Sequence, residues 1–137
     1  MDNTQPDPWF ESMVEQIPVF VYGTLMKGNT TRGLNMFPGS QFVGAAKTKA
    51  SSFSLYDLGS FPAVGISGNN QIQGEVWKVS QDTFDTLDQI EGYPNFYNRR
   101  QVDTTHGKAW MYYIPNVNEY EGVEQIKGPG TVKWADS

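Results

Sequence analysis

From Gln41 to Val79 the chain carries Q-F-V-G (41 to 44), S-F-S-L-Y (52 to 56), F-P-A-V-G-I (61 to 66) and Q-I-Q-G-E-V-W-K-V (71 to 79). Aromatic and β-branched residues recur between glycines at the spacing of short strands, which predicts an antiparallel sheet or barrel. Gly44, Gly59, Gly65, Gly68 and Gly74 are available for the bulges and corners that a closing sheet needs. The pattern then changes. In S-Q-D-T-F-D-T-L-D-Q-I-E-G (80 to 92), Ser80 suits an N-cap, Asp82 lies in the acid-favouring first turn and Gly92 stands just past the end, so a helix is predicted between them.

Outward from this centre, P-V-F-V-Y-G-T-L (18 to 25) reads as a strand apolar on both faces that breaks at Gly23 into a turn. Thr30 to Met36 suits a short helical turn closed by Phe37-Pro38-Gly39. Downstream, Y-N-R-R-Q-V-D-T-T (97 to 105) and K-A-W-M-Y-Y-I (108 to 114) flank His106-Gly107 as a hairpin, and the tail from Pro115 to Ser137 wraps the surface. At the amino terminus Asp7 can cap and Pro8 suits the first helical position. Trp9, Phe10, Met13, Val14 and Ile17 then form one stripe, expected to pack on the domain's own core. The expected architecture is α+β: a small mixed or antiparallel β-barrel with short flanking helices. An amphipathic helical extension covers residues 1–17, and a single domain covers 18–137.

Composition narrows the chemistry. A chain of 137 residues, 38% hydrophobic and 18% charged, has ordinary globular usage, and at this size roughly two-thirds of the extended surface is buried on folding. The longest apolar runs, 18 to 22 and 109 to 114, fall far short of the roughly 20 residues that cross a bilayer, and M-D-N-T-Q-P-D-P carries no secretory pattern. The expectation is a cytoplasmic protein with no membrane partner, in which Asn29-Thr30-Thr31 is no glycosylation site. The absence of cysteine excludes disulfides, thiol catalysis and thiolate metal sites, and the single histidine excludes a multi-histidine metal cluster. A net charge of -5 disfavours nucleic acid, and Lys47, Lys49, Arg99 and Arg100 lack the aromatic interleaving of single-strand binders. No cofactor or metal is expected, and the assembly expected is a monomer or weak homodimer.

A few residues stand out chemically. On a helical rotation Glu91 falls close to Phe84, Leu87 and Asp88, the face meant for the core. An apolar surround and the negative end of the helix dipole both disfavour its anion, and a glutamate raised toward working pH suits proton transfer in both directions. The plainer reading is a helix-end carboxylate that swings to solvent or pairs with Arg99 or Arg100. The loop Tyr22-Gly23-Thr24-Leu25-Met26-Lys27-Gly28 could turn backbone N–H groups toward an anion. Its two glycines have phosphate-loop spacing, but Asn29 stands where the lysine must be, which rejects a nucleotide triphosphatase. A simple glycine turn is the structural alternative. Glu75 shares a strand face with Gln73, Trp77 and Val79, and is either a second buried carboxylate or an edge residue facing solvent or an ion-pair partner. His106 reads as a solvated turn residue.

Taken in order, F-V-Y-G-T-L (20 to 25), S-F-P-A-V (60 to 64), G-E-V-W (74 to 77), L-D-Q-I-E-G-Y-P (87 to 94) and Y-N-R (97 to 99) resemble the gamma-glutamylcyclotransferase-like family, in its small avirulence-induced-protein branch. The resemblance covers roughly residues 18 to 114. It implies a small β-barrel with a pocket where the Y-G-T-L loop meets the glutamate that ends the helix. Enzymes of this kind act on a small gamma-glutamyl amine, amide or peptide, whose own α-amino group attacks its γ-carbonyl to release 5-oxoproline and an amine. Carried over, Glu91 is the proton carrier, Tyr22, Gly23, Thr24 and Leu25 hold the substrate carboxylate, and Tyr97 lies beside the pocket. Glu75 and Arg99 support these groups from behind. The alternative is a non-catalytic binding module of the same fold, for which a tight ion pair between Glu91 and Arg99 or Arg100 would speak. A scaffold assembling through the Trp9 stripe is a third class.

The amino-terminal stripe yields a first expectation. Deleting residues 1 to 16 removes several large apolar side chains, each worth roughly 1.5 to 3 kcal/mol when fully buried. The truncated chain should melt at a lower temperature and keep its chemistry. An unchanged melting temperature would show that the stripe does not pack on the domain.

Overall fold

The computed structural model describes residues 16–27 and 33–134. Of the amino-terminal stripe only Ile17 falls within them, and it begins a strand where the helical extension expected over residues 1–17 includes it; residues 1–15 of that extension lie outside the described residues, as do Gly28, Asn29 and the start of the turn expected from Thr30. Strand β1 (Ile17–Val21) opens the domain. A 3-10 helix (Leu34–Met36) is followed by β2 (Gln41–Lys47), β3 (Phe53–Asp57), β4 (Pro62–Val79) and helix α1 (Gln81–Glu91). Strands β5 (Asn98–Thr104) and β6 (Gly107–Tyr113) form the expected hairpin, and the tail adds a 3-10 helix (Val117–Glu119), β7 (Glu124–Ile126) and β8 (Thr131–Val132).

Strand β1 lies between β4 and β6, antiparallel to the first and parallel to the second, with Val19 opposite Trp77 and Trp110. Its side chains alternate between two cores, which is why the segment is apolar on both faces. Val19 and Val21 join Trp77, Val79 and the α1 residues Phe84 and Leu87 in one core. Phe20 and Tyr22 join Leu55, Ile72, Val76 and Met111 in the other.

Helix α1 begins and ends where the sequence expects. Ser80 Oγ accepts a hydrogen bond from the Thr83 N–H at 3.2 Å. At the far end Gly92 adopts the left-handed conformation at φ 67, and its N–H turns back to the carbonyls of Asp88 and Gln89. Glycine enters that conformation without the steric penalty a side chain would bring.

Three expectations are corrected. The two segments 61 to 66 and 71 to 79 are one strand, β4, of 18 residues. Its ladder on β3 breaks, because Ser54 stands opposite Gly65 while the preceding Phe53 stands opposite Asn70. The polar run Ser67-Gly68-Asn69 has the composition of a turn but forms an exposed bulge along a continuous strand.

The barrel is the second correction: the strands form an open mixed sheet and the fold is α+β. The ends of β2 and β5 meet at the isolated bridge between Thr48 and Thr104, flanked by Lys49 N–H donating to the Asp103 carbonyl at 2.9 Å. β5 turns back at Thr105-His106 and Thr48 lies just past β2, so two strand ends share a bridge where a closed barrel needs a full ladder.

The third correction concerns the tail, which supplies strands to the sheet. β7 pairs antiparallel with β3, and β8 pairs parallel with Gln71 and Ile72 of β4. Beside β8, Asn70 Nδ2 donates to the carbonyls of Gly128 and Gly130 at 2.8 and 2.9 Å.

Because Ser80 caps the helix through its side chain, Ser80→Ala should lower the unfolding free energy by about 1 kcal/mol. Urea denaturation should show a lower midpoint with an unchanged slope.

Candidate active site

The loop after β1 is fixed at both ends. The buried Tyr22 hydroxyl donates to the Tyr112 carbonyl at 2.7 Å and accepts from the Val64 N–H at 3.1 Å. The Met26 N–H donates to the Gly23 carbonyl at 3.0 Å, closing a tight turn. At the exit, Glu75 Oε1 accepts from the Lys27 N–H at 2.8 Å and from Trp77 Nε1 at 3.0 Å. Glu75 is thus a half-buried carboxylate that straps the loop to β4. A side chain on Gly23 would place its Cβ 2.7 Å from Pro62 Cγ, inside contact distance. Close approach of Pro62 therefore requires glycine here; Gly23 is absent from the positive-φ glycines, so left-handed backbone is not the reason.

Across from this loop α1 ends. Phe84 and Leu87 are buried beneath the helix, and Glu91, one turn beyond Leu87, is half-buried. The turn after Gly92 contains a cis Tyr93-Pro94 bond and returns Tyr97, whose N–H donates to the Glu91 carbonyl at 3.2 Å. The Tyr97 hydroxyl donates to the Pro62 carbonyl at 2.6 Å. Burial, and after it the charge of Glu91, pushes the Tyr97 phenol above its ordinary range. Burial also raises Tyr22, followed by the neighbouring Tyr97 and then Glu91. Tyr112 is raised by burial and by the hydrogen bond it gives Asp88, with Glu91 contributing further. The three phenols around the helix end stay protonated.

Arg99 and Asp88 form the main ion pair behind this wall. Arg99 Nε and Nη2 donate to the two oxygens of Asp88 at 2.8 and 3.1 Å. Asp88 Oδ1 also accepts from the Tyr112 hydroxyl at 2.7 Å. The guanidinium lies 4.5, 4.2 and 4.6 Å from the ring centres of Phe84, Tyr93 and Trp110. The Asp88 hydrogen bond holds the Arg99 pKa above its ordinary value. Arg99 is thus engaged by Asp88, the residue one helical turn before the glutamate it was a candidate to pair with. Arg100 is exposed, 5.9 Å from the Tyr113 ring, and His106 is exposed above Gly44.

Between loop and helix lies a cleft of about 470 Å³. Tyr22, Gly23, Thr24, Leu25, Glu91 and Tyr97 all line it, whereas Glu75 and Arg99 stand behind its walls. Sequence reasoning missed Tyr112, Phe61, Pro62 and Phe96, which also line it, together with Met36 and Ile90 at its rim. The pair Phe61-Pro62 sits inside the S-F-P-A-V segment and Phe96 precedes Tyr97, so adjacency to marked residues was the available signal. Among the described residues no group of three or more His, Cys, Asp or Glu comes together as a metal site, and no helix is long and apolar enough to cross a membrane.

Residues 19–134 match the family described as gamma-glutamyl cyclotransferase, AIG2-like. The chain belongs to this family. A gamma-glutamylcyclotransferase-like protein of Vibrio cholerae is 38% identical over 94 residues, covering 69% of this chain and 78% of the relative. Gamma-glutamylaminecyclotransferase A of Danio rerio is 34% identical over 97 residues, covering 63% of this chain and 57% of the relative. The solution structure of YtfP from Escherichia coli superposes with a TM-score of 0.64 at 28% identity, covering 88% of this chain and 97% of that one. Family membership supports gamma-glutamylcyclotransferase-like activity.

The buried phenols carry a pH signature. Tyr22, Tyr97 and Tyr112 are raised, so in the folded chain they keep protons that the unfolded chain releases near pH 10. Their contribution to stability is complete below about pH 10 and is lost as pH rises beyond it. Phenolate absorbance should show three of the seven tyrosines ionising only as the fold opens. Tyr97→Phe should remove one delayed group; full ionisation of all tyrosines in the native state would contradict the assignment.

Proposed function

We propose that the protein is a cyclotransferase for a small gamma-glutamyl amine, amide or peptide, with Glu91 as its proton carrier. The observation that carries this reading is the meeting of Glu91 with the Tyr22 to Leu25 loop in one cleft. The loop backbone holds the α-carboxylate of the substrate, which places the α-nitrogen and the γ-carbonyl within reach of Glu91. Glu91 takes a proton from the α-ammonium, and the freed amine attacks the γ-carbonyl carbon. A carbon–nitrogen bond forms within the substrate, closing a five-membered ring. Glu91 returns the proton to the departing nitrogen as the γ-amide bond breaks, and the ring nitrogen sheds its remaining surplus proton to the released amine, leaving 5-oxoproline and an ammonium ion. An intramolecular attack needs positioning and one bidirectional acid–base group, and asks for no nucleophile from the protein.

The tyrosines shape the site. The hydroxyls of Tyr22 and Tyr97 donate to backbone carbonyls, so they set the walls and leave proton movement to Glu91.

Glu91→Gln keeps shape and hydrogen-bonding capacity but cannot exchange the proton. Turnover should fall roughly 10² to 10⁴-fold while ligand affinity changes much less. The check is 5-oxoproline release and calorimetric affinity on the same purified variant. Turnover within a few-fold of the parent would end the Glu91 mechanism, and a parent inactive on every gamma-glutamyl compound would favour the binding module.

A further inference from the structure

A second depression, of about 530 Å³, shares no lining residue with the cleft. Strand alternation decides which side chains reach it. Tyr56 of β3 stands opposite Gln125 of β7, so the two point to one face, and Ser54 and Lys127, two residues along, follow them. Asp57 and Glu124, opposite each other one step away, go to the other face. The remaining wall comes from β4. Because Phe53 stands opposite Asn70 and Ser54 opposite Gly65, the residues between Gly65 and Asn70 leave the β3 ladder, and Ser67, Gly68 and Asn69 line the depression.

Both walls are held by bonds of their own. Ser54 Oγ donates to the Ser67 carbonyl at 2.8 Å, and a side chain on Gly68, at φ 149, would place its Cβ 2.5 Å from the Phe53 carbonyl oxygen. Opposite, the buried Asn70 amide donates to the Gly128 and Gly130 carbonyls, and the Gln71 N–H donates to the Gly130 carbonyl at 3.1 Å. The side chains between these walls are uncommitted: among the described residues those of Tyr56, Ser67, Asn69, Gln125 and Lys127 have no hydrogen-bond or ion-pair partner. Polar side chains facing water are ordinary, but five gathered round a concave site with fixed walls are placed to meet a ligand without further ordering. Among the described residues lining the depression Lys127 alone is charged, and no carboxylate opposes it, in a chain of net charge -5.

We infer that this depression binds a small hydroxylated oxyanion, a phosphate or carboxylate borne on a polyol: the Lys127 ammonium pairs with the anion, and the amides of Asn69 and Gln125 and the hydroxyls of Ser67 and Tyr56 meet the hydroxyl groups. Amide and hydroxyl side chains both donate and accept, as a polyol does, while an ammonium only donates, as an oxyanion requires. The lining offers little hydrocarbon beyond the Tyr56 ring and Pro129, so a nucleobase or a lipid chain finds no slot.

The test titrates the full isotope-labelled chain with glucose 6-phosphate and gluconate, and with inorganic phosphate, acetate and glucose as their parts, following backbone amide shifts. Saturable shifts should centre on residues 67–70 and 125–130. Whichever of the first two binds more tightly tells phosphate from carboxylate, and glucose should bind it about tenfold more weakly or worse. Lys127→Ala should weaken the preferred anion about tenfold or more, while Lys78→Ala, at an exposed lysine of β4 outside the site, should leave it unchanged. In Asn69→Ala the advantage of the hydroxylated anion over inorganic phosphate or acetate should shrink about three- to tenfold. Absence of saturable shifts with both hydroxylated anions, shifts confined to the cleft, or affinity unchanged by Lys127→Ala overturns the site. Equal weakening by Lys78→Ala overturns it as well, since diffuse attraction then accounts for the binding. Inorganic phosphate or acetate binding as tightly as its hydroxylated counterpart, or glucose as tightly as either anion, overturns the assignment of a hydroxylated oxyanion.

Discussion

Asp88 holds the site together. Its carboxylate accepts two hydrogen bonds from Arg99 on β5 and one from Tyr112 on β6, so one residue of α1 is tied to two strands of the sheet. Removing one partner of a fully buried pair costs about 3–5 kcal/mol, and less here, where the side chains are 16% and 20% exposed. The consequence is positional. Glu91 lies one turn along the same helix, and the Tyr112 carbonyl accepts from Tyr22 at the root of the loop. A chain of bonded groups therefore runs from the helix to the loop, setting the distance between the two sides of the cleft. Three rings pack around the guanidinium and limit its contact with water, which strengthens the pair.

The loop is held from the opposite side by hydrogen bonds and packing. Glu75 accepts from an amide and an indole, and Pro62 fills the space that a side chain on residue 23 would occupy. Since Tyr97 donates to the Pro62 carbonyl, Pro62 touches both the loop and the segment that returns from α1. The polar wall is preorganised by packing and backbone bonds, which limits the ordering required when a ligand binds.

Much of this was legible in the sequence. Ser80, Asp82 and Gly92 mark the helix because capping is chemistry of a few adjacent residues, and the two-faced strand before Gly23 follows from its unbroken apolar run. The Y-G-T-L segment and the helix-end glutamate could be singled out from order and residue type. What could not be read depends on separations that local patterns do not encode. The partner of Arg99 is set by the path of the Gly92 to Phe96 turn, and either Asp88 or Glu91 satisfies helical periodicity. Tyr112 sits in a run apolar on both faces, where alternation offers no way to choose the side that meets the cleft. The continuity of β4 through Ser67-Gly68-Asn69 depends on pairing supplied by β3 and by the tail.

That last dependence has a bearing on the order in which the chain is made. β8 lies against Gln71 and Ile72, and the Asn70 amide finds two carbonyls beside it, about sixty residues further on. During synthesis the middle of β4 leaves the ribosome long before either partner exists. Until residues 128–132 emerge, the Asn70 amide and that stretch of β4 remain without these bonds, an open template for pairing with another chain. This seam of the sheet is sewn by a segment made well after β4 itself, so this part of the fold waits until residues 128–132 have emerged.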